Sequence, residues 1–321
     1  METIRDEGID RAPLEGKRVA IIGYGNQGRA QALNLNDSGI DVVVGLRDGS
    51  PSLHGAQADG IATASLAEAA ASADIVMLLA PDEVLAAIYR VVEPHCREGA
   101  ALGFSHGLAI RFGFIAPRPD LDVFMLAPKG PGTALRSLYL EGKGMVALYA
   151  VAQDKSGQAE AIALAYGQAL GCGRAGILPS TFAEECEADL FNENAVVWGA
   201  VPEILIAGFD TLVAAGVSDE VAYMECIGEL KLIAELIEAR GIAGMREAIS
   251  NTAELGAVLG GPRIVDDGVR ARMKAVLEDI RDGRFSELLS DEEASAYPRL
   301  RAAREKARSL RVERARKKLE G

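Results

Sequence analysis

The chain of 321 residues carries only four cysteines, Cys96, Cys172, Cys186 and Cys226, and none forms a C-x-x-C pair. That spacing suggests neither a disulfide framework nor a thiolate zinc site. Histidine is scarcer still, with three copies, and aromatic residues make up 5% of the chain, with a single Trp. Basic residues are in deficit: 34 Lys plus Arg stand against 47 Asp plus Glu, a net charge of −13. A balance of that sign argues against non-specific nucleic-acid binding as the main activity. No apolar stretch of roughly 18 residues stands out, so no membrane partner is expected. Residues Met1 to Leu14 are polar and acidic, unlike a signal or transit peptide. A reducing, cytoplasmic location is the expectation.

What is present is a globular composition, 49% hydrophobic and 25% charged, with 35 glycines. The length fits two domains. The first half alternates strand and helix signals. Strands are expected at Arg18–Gly23, Asp41–Leu46, Asp74–Ala80, Ala100–Ser105, Val123–Ala127 and Met145–Val151. Helices are expected between them, among them Leu66–Ser72, and the Ala-rich patch 62–73 around it reads as ordinary helix. Alternation of this kind predicts a parallel sheet covered on both faces. After Ile177 the strand signals vanish and long helical patterns take over, including Phe182–Val201 and Ser218–Ala239. Pro179 breaks the pattern and sets the expected boundary, with an α/β domain over 1–179 and an all-α domain over 180–321. The last 21 residues hold nine Lys or Arg against three Glu and read as a solvated surface helix.

Gly23-Tyr24-Gly25-Asn26-Gln27-Gly28 matches G-x-G-x-x-G between a strand and a helix, the context of a dinucleotide site. The first glycine permits the turn, the second admits a pyrophosphate, and the third lets helix and strand pack. Helix N-terminal N–H groups then favour the phosphates. An NAD site places an acid at the end of the second strand. Here that strand ends in Arg47, followed by Ser50 and Ser52. A cation and two hydroxyls suit a 2′-phosphate, so NADPH is the expected cofactor. Asp48, one residue past the strand end, is the exception in this loop.

Asp189 and Glu193 are four residues apart, as are Glu225 and Glu229. On a helix, i, i+4 spacing puts each pair on one face. Both pairs lie among Leu, Phe, Ile and Met, so part-burial of their faces is expected. Four oxygen donors in a chain poor in histidine favour Mg²⁺ over Zn²⁺; the competing reading is two solvated helix faces.

These motifs fall inside longer ordered blocks. They include Gly45-Leu46-Arg47-x-Gly49-Ser50, Pro81-Asp82-Glu83, Phe104-Ser105-His106-Gly107, and Ala127-Pro128-Lys129-Gly130-Pro131-Gly132. Further along come Asp189-Leu190-Phe191-x-Glu193, Glu225-Cys226-x-x-Glu229-Leu230-Lys231, Gly241 to Arg246, and Ile249 to Glu254. Taken together, from about Gly16 to Arg263, the chain resembles ketol-acid reductoisomerase in its short bacterial-type form. The resemblance implies a Rossmann domain followed by a knotted helical domain. It also implies NADPH, two Mg²⁺ ions, and a homodimer with shared active sites, with room for a larger assembly of dimers. It adds Asp82 and Gly132 to the cofactor residues. Asp189 and Glu193 would come from one chain, and Glu225, Glu229 and Ser250 from its partner. Ser250 would hold the substrate carboxylate, and His106 and Lys129 would sit at the reaction centre. Glu229 is the proton-relay candidate.

The implied reaction moves an alkyl group from C2 to C3 of a 2-hydroxy-2-alkyl-3-keto acid and then reduces the new ketone. Several positions depart from the family pattern: Asn26 and Arg29 stand where Ser and His are usual, Thr133 where His is, and Leu255 where Tyr is. Val197-Trp198-Gly199-Ala200 replaces a Leu-Cys-Gly-Gly run. None removes a metal ligand, but a bulky Trp198 bears on pocket volume. The alternatives are a specialised relative acting on another hydroxy-keto acid and a catalytically silent NADPH-binding protein. Taken alone, Ser250 reads as a helix cap and Trp198 as a core aromatic.

Overall fold

Short aliphatic runs separated by glycine turns form one eight-stranded sheet in this computed structural model, which describes residues 2–320. The strands are β1 (Arg18–Ile22), β2 (Asp41–Leu46), β3 (Ala62–Ser65), β4 (Ile75–Leu78), β5 (Ala101–Phe104), β6 (Asp122–Pro128), β7 (Ala147–Gln153) and β8 (Ile177–Pro179). Their order is β3-β2-β1-β4-β5-β6-β7-β8. Neighbours are parallel throughout except for β6 and β7, which run antiparallel. The first six strands follow the doubly wound order, whose winding reverses between β1 and β4.

The helices α1 (Asn26–Asp37), α2 (Ser52–Ala58), α3 (Leu66–Ser72), α4 (Asp82–Val92), α5 (Leu108–Arg111), α6 (Gly132–Leu140) and α7 (Ala159–Ala169) connect the strands. β1 shows how period-two alternation sorts the core. Val19 and Ile21 join Leu35 and Tyr166 in one apolar layer, while Ala20 and Ile22 join Leu85 and Phe104 in the other. Each large aliphatic residue buried in this way contributes about 1.5–3 kcal/mol.

Two elements differ from the sequence reading. The Ala-rich patch splits into β3 and α3 at Ser65, whose side chain accepts from the Glu68 N–H while the Glu68 carboxylate accepts from the Ser65 N–H. This capping box starts α3 at Leu66, as expected for the helix Leu66–Ser72, and leaves residues 62–65 to a strand that composition does not mark. The sheet is also not wholly parallel. β7 runs antiparallel to β6 because the α6 segment brings the chain back to the C-terminal end of β6, where Ala147 pairs with Pro128.

The chain divides into one unit, Met1–Cys186, and a second, Glu187–Gly321, within α8 (Phe182–Phe191). The second unit is helical: α9 (Ala200–Ala214), α10 (Asp219–Tyr223), α11 (Leu230–Glu247), α12 (Asn251–Ile264), α13 (Asp267–Arg281), α14 (Arg284–Ala294), α15 (Pro298–Ser309) and α16 (Arg311–Glu320). Two π-helical turns interrupt it, at Asn192–Val196 and Met224–Gly228. The basic tail is less solvated than its charge suggests. Val312 and Ala315 of α16 are buried with Phe209 and Ala222, and Arg311 forms a two-pronged ion pair with Asp219.

The helical unit leaves much apolar surface uncovered. Trp198, Ile204, Leu232, Ile242, Leu259 and Ile264 are all exposed. The helical stretch Phe182–Ala214 is long and apolar enough, by length and composition, to cross a membrane. This corrects the expectation that no such stretch exists. The runs Phe182–Phe191 and Ala200–Ala214 each look short and carry acids, and only the near-continuous helix joins them.

Candidate active site

The glycine fingerprint lies at the C-terminal end of β1, at the point where the winding reverses. Gly23 has φ +102°, and a Cβ there would stand 3.0 Å from the Ala80 nitrogen. A Cβ on Gly28 would stand 2.3 Å from the Gly23 carbonyl oxygen. Side chains are therefore excluded at both positions, whereas Gly25 has open space beside it, the side from which a pyrophosphate reaches the N-terminus of α1. These residues fit a dinucleotide.

Tyr24, Asn26 and Gln27 also hold the loop itself. Tyr24 Oη donates to Asp59 Oδ2 at 2.8 Å, and Arg29 meets the same carboxylate with two N–H groups. The Arg29 hydrogen bonds hold the Asp59 carboxyl down at about 2. Burial, then the hydrogen bond to Asp59, push the Tyr24 phenol well up. Asn26 accepts from the Gly132 N–H, and Gln27 Nε2 donates to the Gly130 carbonyl at 2.8 Å. On the neighbouring loop, Arg47 and Asp48 are exposed, and Ser50 Oγ accepts from the Ser52 N–H at 3.3 Å.

A second group forms where β5, β6 and the start of α8 meet. Glu185 is 1% exposed. Its Oε1 accepts from Lys129 Nζ at 2.9 Å, and its Oε2 accepts from the Gly107 N–H at 2.8 Å. Gly107 permits this approach, since a Cβ there would stand 2.1 Å from the Phe182 carbonyl oxygen. His106 Nδ1 lies 2.9 Å from Asp82 Oδ2. Burial favours the neutral ring, but hydrogen bonds with Asp82 and Cys186 and the charges of Asp82 and Glu185 outweigh it and hold His106 well above the usual histidine range. Asp82, expected at the cofactor, is thus in contact with a catalytic candidate. Glu185 escaped the sequence reading because Glu184-Glu185 opens a helix, where acids are common for the macrodipole alone.

The acidic pairs sit at the π turns. Glu193 lies inside the first, Glu225 inside the second, and Glu229 directly follows it. The Val197 N–H reaches the Asn192 carbonyl five residues back. A π turn thus falls at each acidic pair, and such turns recur at functional sites. Part-burial holds only for Asp189; Glu193, Glu225 and Glu229 are exposed. Among the described residues, no three of these four carboxylates bring ligand atoms within 4.8 Å of one another. Ser250 caps α12, accepting from the Ala253 N–H at 3.2 Å. Trp198 is 66% exposed, so the core-aromatic reading fails.

A doubly wound sheet with a glycine-lined dinucleotide loop, a buried Glu185 paired with Lys129, and an Asp–His pair define a nicotinamide-dependent oxidoreductase. Residues 13–176 match the model of the acetohydroxy acid isomeroreductase NADPH-binding domain, and residues 182–321 match that of the ketol-acid reductoisomerase C-terminal domain. An NADH-preferring ketol-acid reductoisomerase from an uncultured archean is 43% identical, with a TM-score of 0.96 over 100% of this chain and 98% of that one. The chain belongs to the ketol-acid reductoisomerase family. More distant likenesses concern the fold alone. A putative oxidoreductase from a Jannaschia species is 20% identical, with a TM-score of 0.61 over 85% of this chain and 98% of that one. A semialdehyde dehydrogenase NAD-binding protein from Cupriavidus necator is 20% identical, with a TM-score of 0.60 over 83% and 99%.

Proposed function

We propose that the protein converts a 2-hydroxy-2-alkyl-3-keto acid of the 2-acetolactate type to a 2,3-dihydroxy acid, by Mg²⁺-dependent alkyl migration and NADPH reduction, in branched-chain amino-acid biosynthesis. The observation that carries this reading is the double contact of buried Glu185, which fixes Lys129 beside the His106 loop. Lys129 stabilises negative charge that develops on a substrate oxygen. Asp82 orients the His106 ring through Nδ1. Glu229 relays the proton leaving the C2 hydroxyl, and Ser250 holds the substrate carboxylate.

Asp189, Glu193, Glu225 and Glu229 offer hard oxygen donors, a set that fits Mg²⁺. Two bound ions would supply Lewis acidity to the substrate's hydroxyl and carbonyl oxygens. A homodimer with shared sites accounts for three observations together: the scattered carboxylates of one chain, their exposure, and the uncovered apolar helices. NADPH is the preferred cofactor on the chemistry of Arg47, Ser50 and Ser52, in contrast to the NADH preference of the archaeal relative. A cytoplasmic location suits such a step.

The test is NADPH oxidation with 2-acetolactate, with and without Mg²⁺. Turnover that requires Mg²⁺ supports the reading, and NADPH binding without turnover on any hydroxy-keto acid contradicts it. The bulk of Trp198, where the family pattern has a small residue, favours a second reading, in which the pocket takes a different acid. Turnover with another 2-hydroxy-3-keto acid but not with acetolactate would select it.

A further inference from the structure

A chain of buried amide and hydroxyl groups runs beneath the site, and the reaction scheme above does not use it. Gln31 on α1 and Tyr166 on α7 are both fully buried. Tyr166 Oη donates to Gln31 Oε1 at 2.7 Å. Gln31 Nε2 donates to Gln27 Oε1 at 3.1 Å and to Ser105 Oγ at 2.9 Å. Gln27 Nε2 in turn donates to the Gly130 carbonyl at 2.8 Å. Ser105 Oγ donates onward to the Leu126 carbonyl at 2.9 Å.

The donors in this chain all point one way. A carboxamide has a donor end and an acceptor end, and in a buried site the wrong end leaves groups unsatisfied. The Tyr166 hydroxyl fixes Gln31 with its oxygen toward α7. Both N–H groups of Gln31 are then committed, one to Gln27 and one to Ser105. Gln27, receiving a donor at its oxygen, must present its own N–H to Gly130. The two ends of the chain are informative. Gly130 follows Lys129, and Ser105 precedes His106. Gln27 itself belongs to the dinucleotide loop.

We propose that Tyr166 and Gln31 are positioning residues. Through amide polarity they hold the Lys129 and His106 loops in register with the cofactor loop. Neither touches substrate or cofactor. The proposal rests on the reading of Lys129 as a group at the reaction centre. The chain of bonds uses no titratable group other than the Tyr166 phenol, which burial pushes well up and keeps protonated as a donor.

The test is Tyr166→Phe in the full-length protein, with Gln31→Met as a second variant of near-equal volume. Steady-state kinetics at saturating Mg²⁺ are measured well below the unfolding temperature, and NADPH affinity by fluorescence titration. The expected result is a fall in kcat of about five- to twenty-fold, because small misplacement of a reacting group is costly, with NADPH affinity within about two-fold of the parent. A purely structural role would lower the unfolding temperature and leave kcat unchanged, which overturns the proposal.

A double-mutant cycle with Lys129→Arg separates the two layers of the inference. If Tyr166 acts through Lys129, the second substitution adds little to the loss in the Lys129→Arg background. Full additivity overturns the proposal while leaving the role of Lys129 intact. Parental turnover in Lys129→Arg alone overturns the site reading, and the positioning role with it.

Discussion

Glu185 and Lys129, 56 residues apart in sequence, meet at 2.9 Å with the carboxylate 1% exposed. The second Glu185 oxygen is held by the Gly107 N–H, so the pair also ties the His106 loop to α8. Glu185→Gln keeps the volume and one acceptor but removes the carboxylate charge that Lys129 meets at 2.9 Å. Turnover is expected to fall about ten- to a hundred-fold as Lys129 loses its position. The unfolding midpoint should fall by less than for a fully buried pair, because Lys129 is one-third exposed and can be hydrated. Parallel kcat and denaturation measurements check both parts.

The cofactor loop gives a second test. Replacing both Ser50 and Ser52 by Asp sets two carboxylates where a 2′-phosphate would bind. The ratio of kcat/KM for NADPH over NADH should fall by about ten- to a hundred-fold. An unchanged ratio would remove these serines from cofactor selection.

Much of this was legible in the sequence, for reasons that differ by element. The β1–Gly23–α1 turn was readable because only glycine fits at Gly23 and Gly28. β3 was not, because Ala62-Thr63-Ala64-Ser65 lacks the β-branched density that marks a strand. The antiparallel β6–β7 pairing was not, because alternation fixes which face a residue takes and not the direction of its strand. The acidic pairs were found by spacing, but the π turns at them leave no mark in composition. Asp82 was assigned to the cofactor only by resemblance, and Glu185 was not singled out at all. Their partners His106 and Lys129 lie 24 and 56 residues away, and only the folded sheet brings them together.

A pH prediction follows from Asp59. Its carboxyl is held down at about 2, first by hydrogen bonds from Arg29, against an ordinary value near 3.8. A depressed acid stabilises the fold fully above its unfolded value and loses that contribution as pH falls toward its folded value. Asp59→Asn should therefore cost about 1 kcal/mol near neutral pH, discounted for the exposure of Arg29. The gap between parent and variant should close as pH falls from about 4 to about 2. Urea midpoints across that range check the sign; a gap that widens on acidification would contradict the assignment.

Subunit sharing has its own consequence. If Asp189 and Glu193 face Glu225 and Glu229 of a partner, Asp189→Asn and Glu229→Gln proteins are each inactive as homodimers. In a mixed dimer one shared site collects both lesions and the other collects none. Exchange of subunits should restore activity toward about one-quarter of the parental value at equal mixing, half of the dimers being mixed with one good site each. Verified exchange without recovery would mean that each chain builds its own site.

The central claim, alkyl migration coupled to reduction, is tested most directly by following a label. 2-Acetolactate carrying ¹³C in the C2 methyl group is incubated with the protein, Mg²⁺ and NADPH, and the product is read by NMR. The account predicts the labelled methyl on C3 of 2,3-dihydroxy-3-methylbutanoate, formed in step with NADPH oxidation. A labelled methyl still on C2, in a simply reduced 2,3-dihydroxy-2-methylbutanoate, would contradict it.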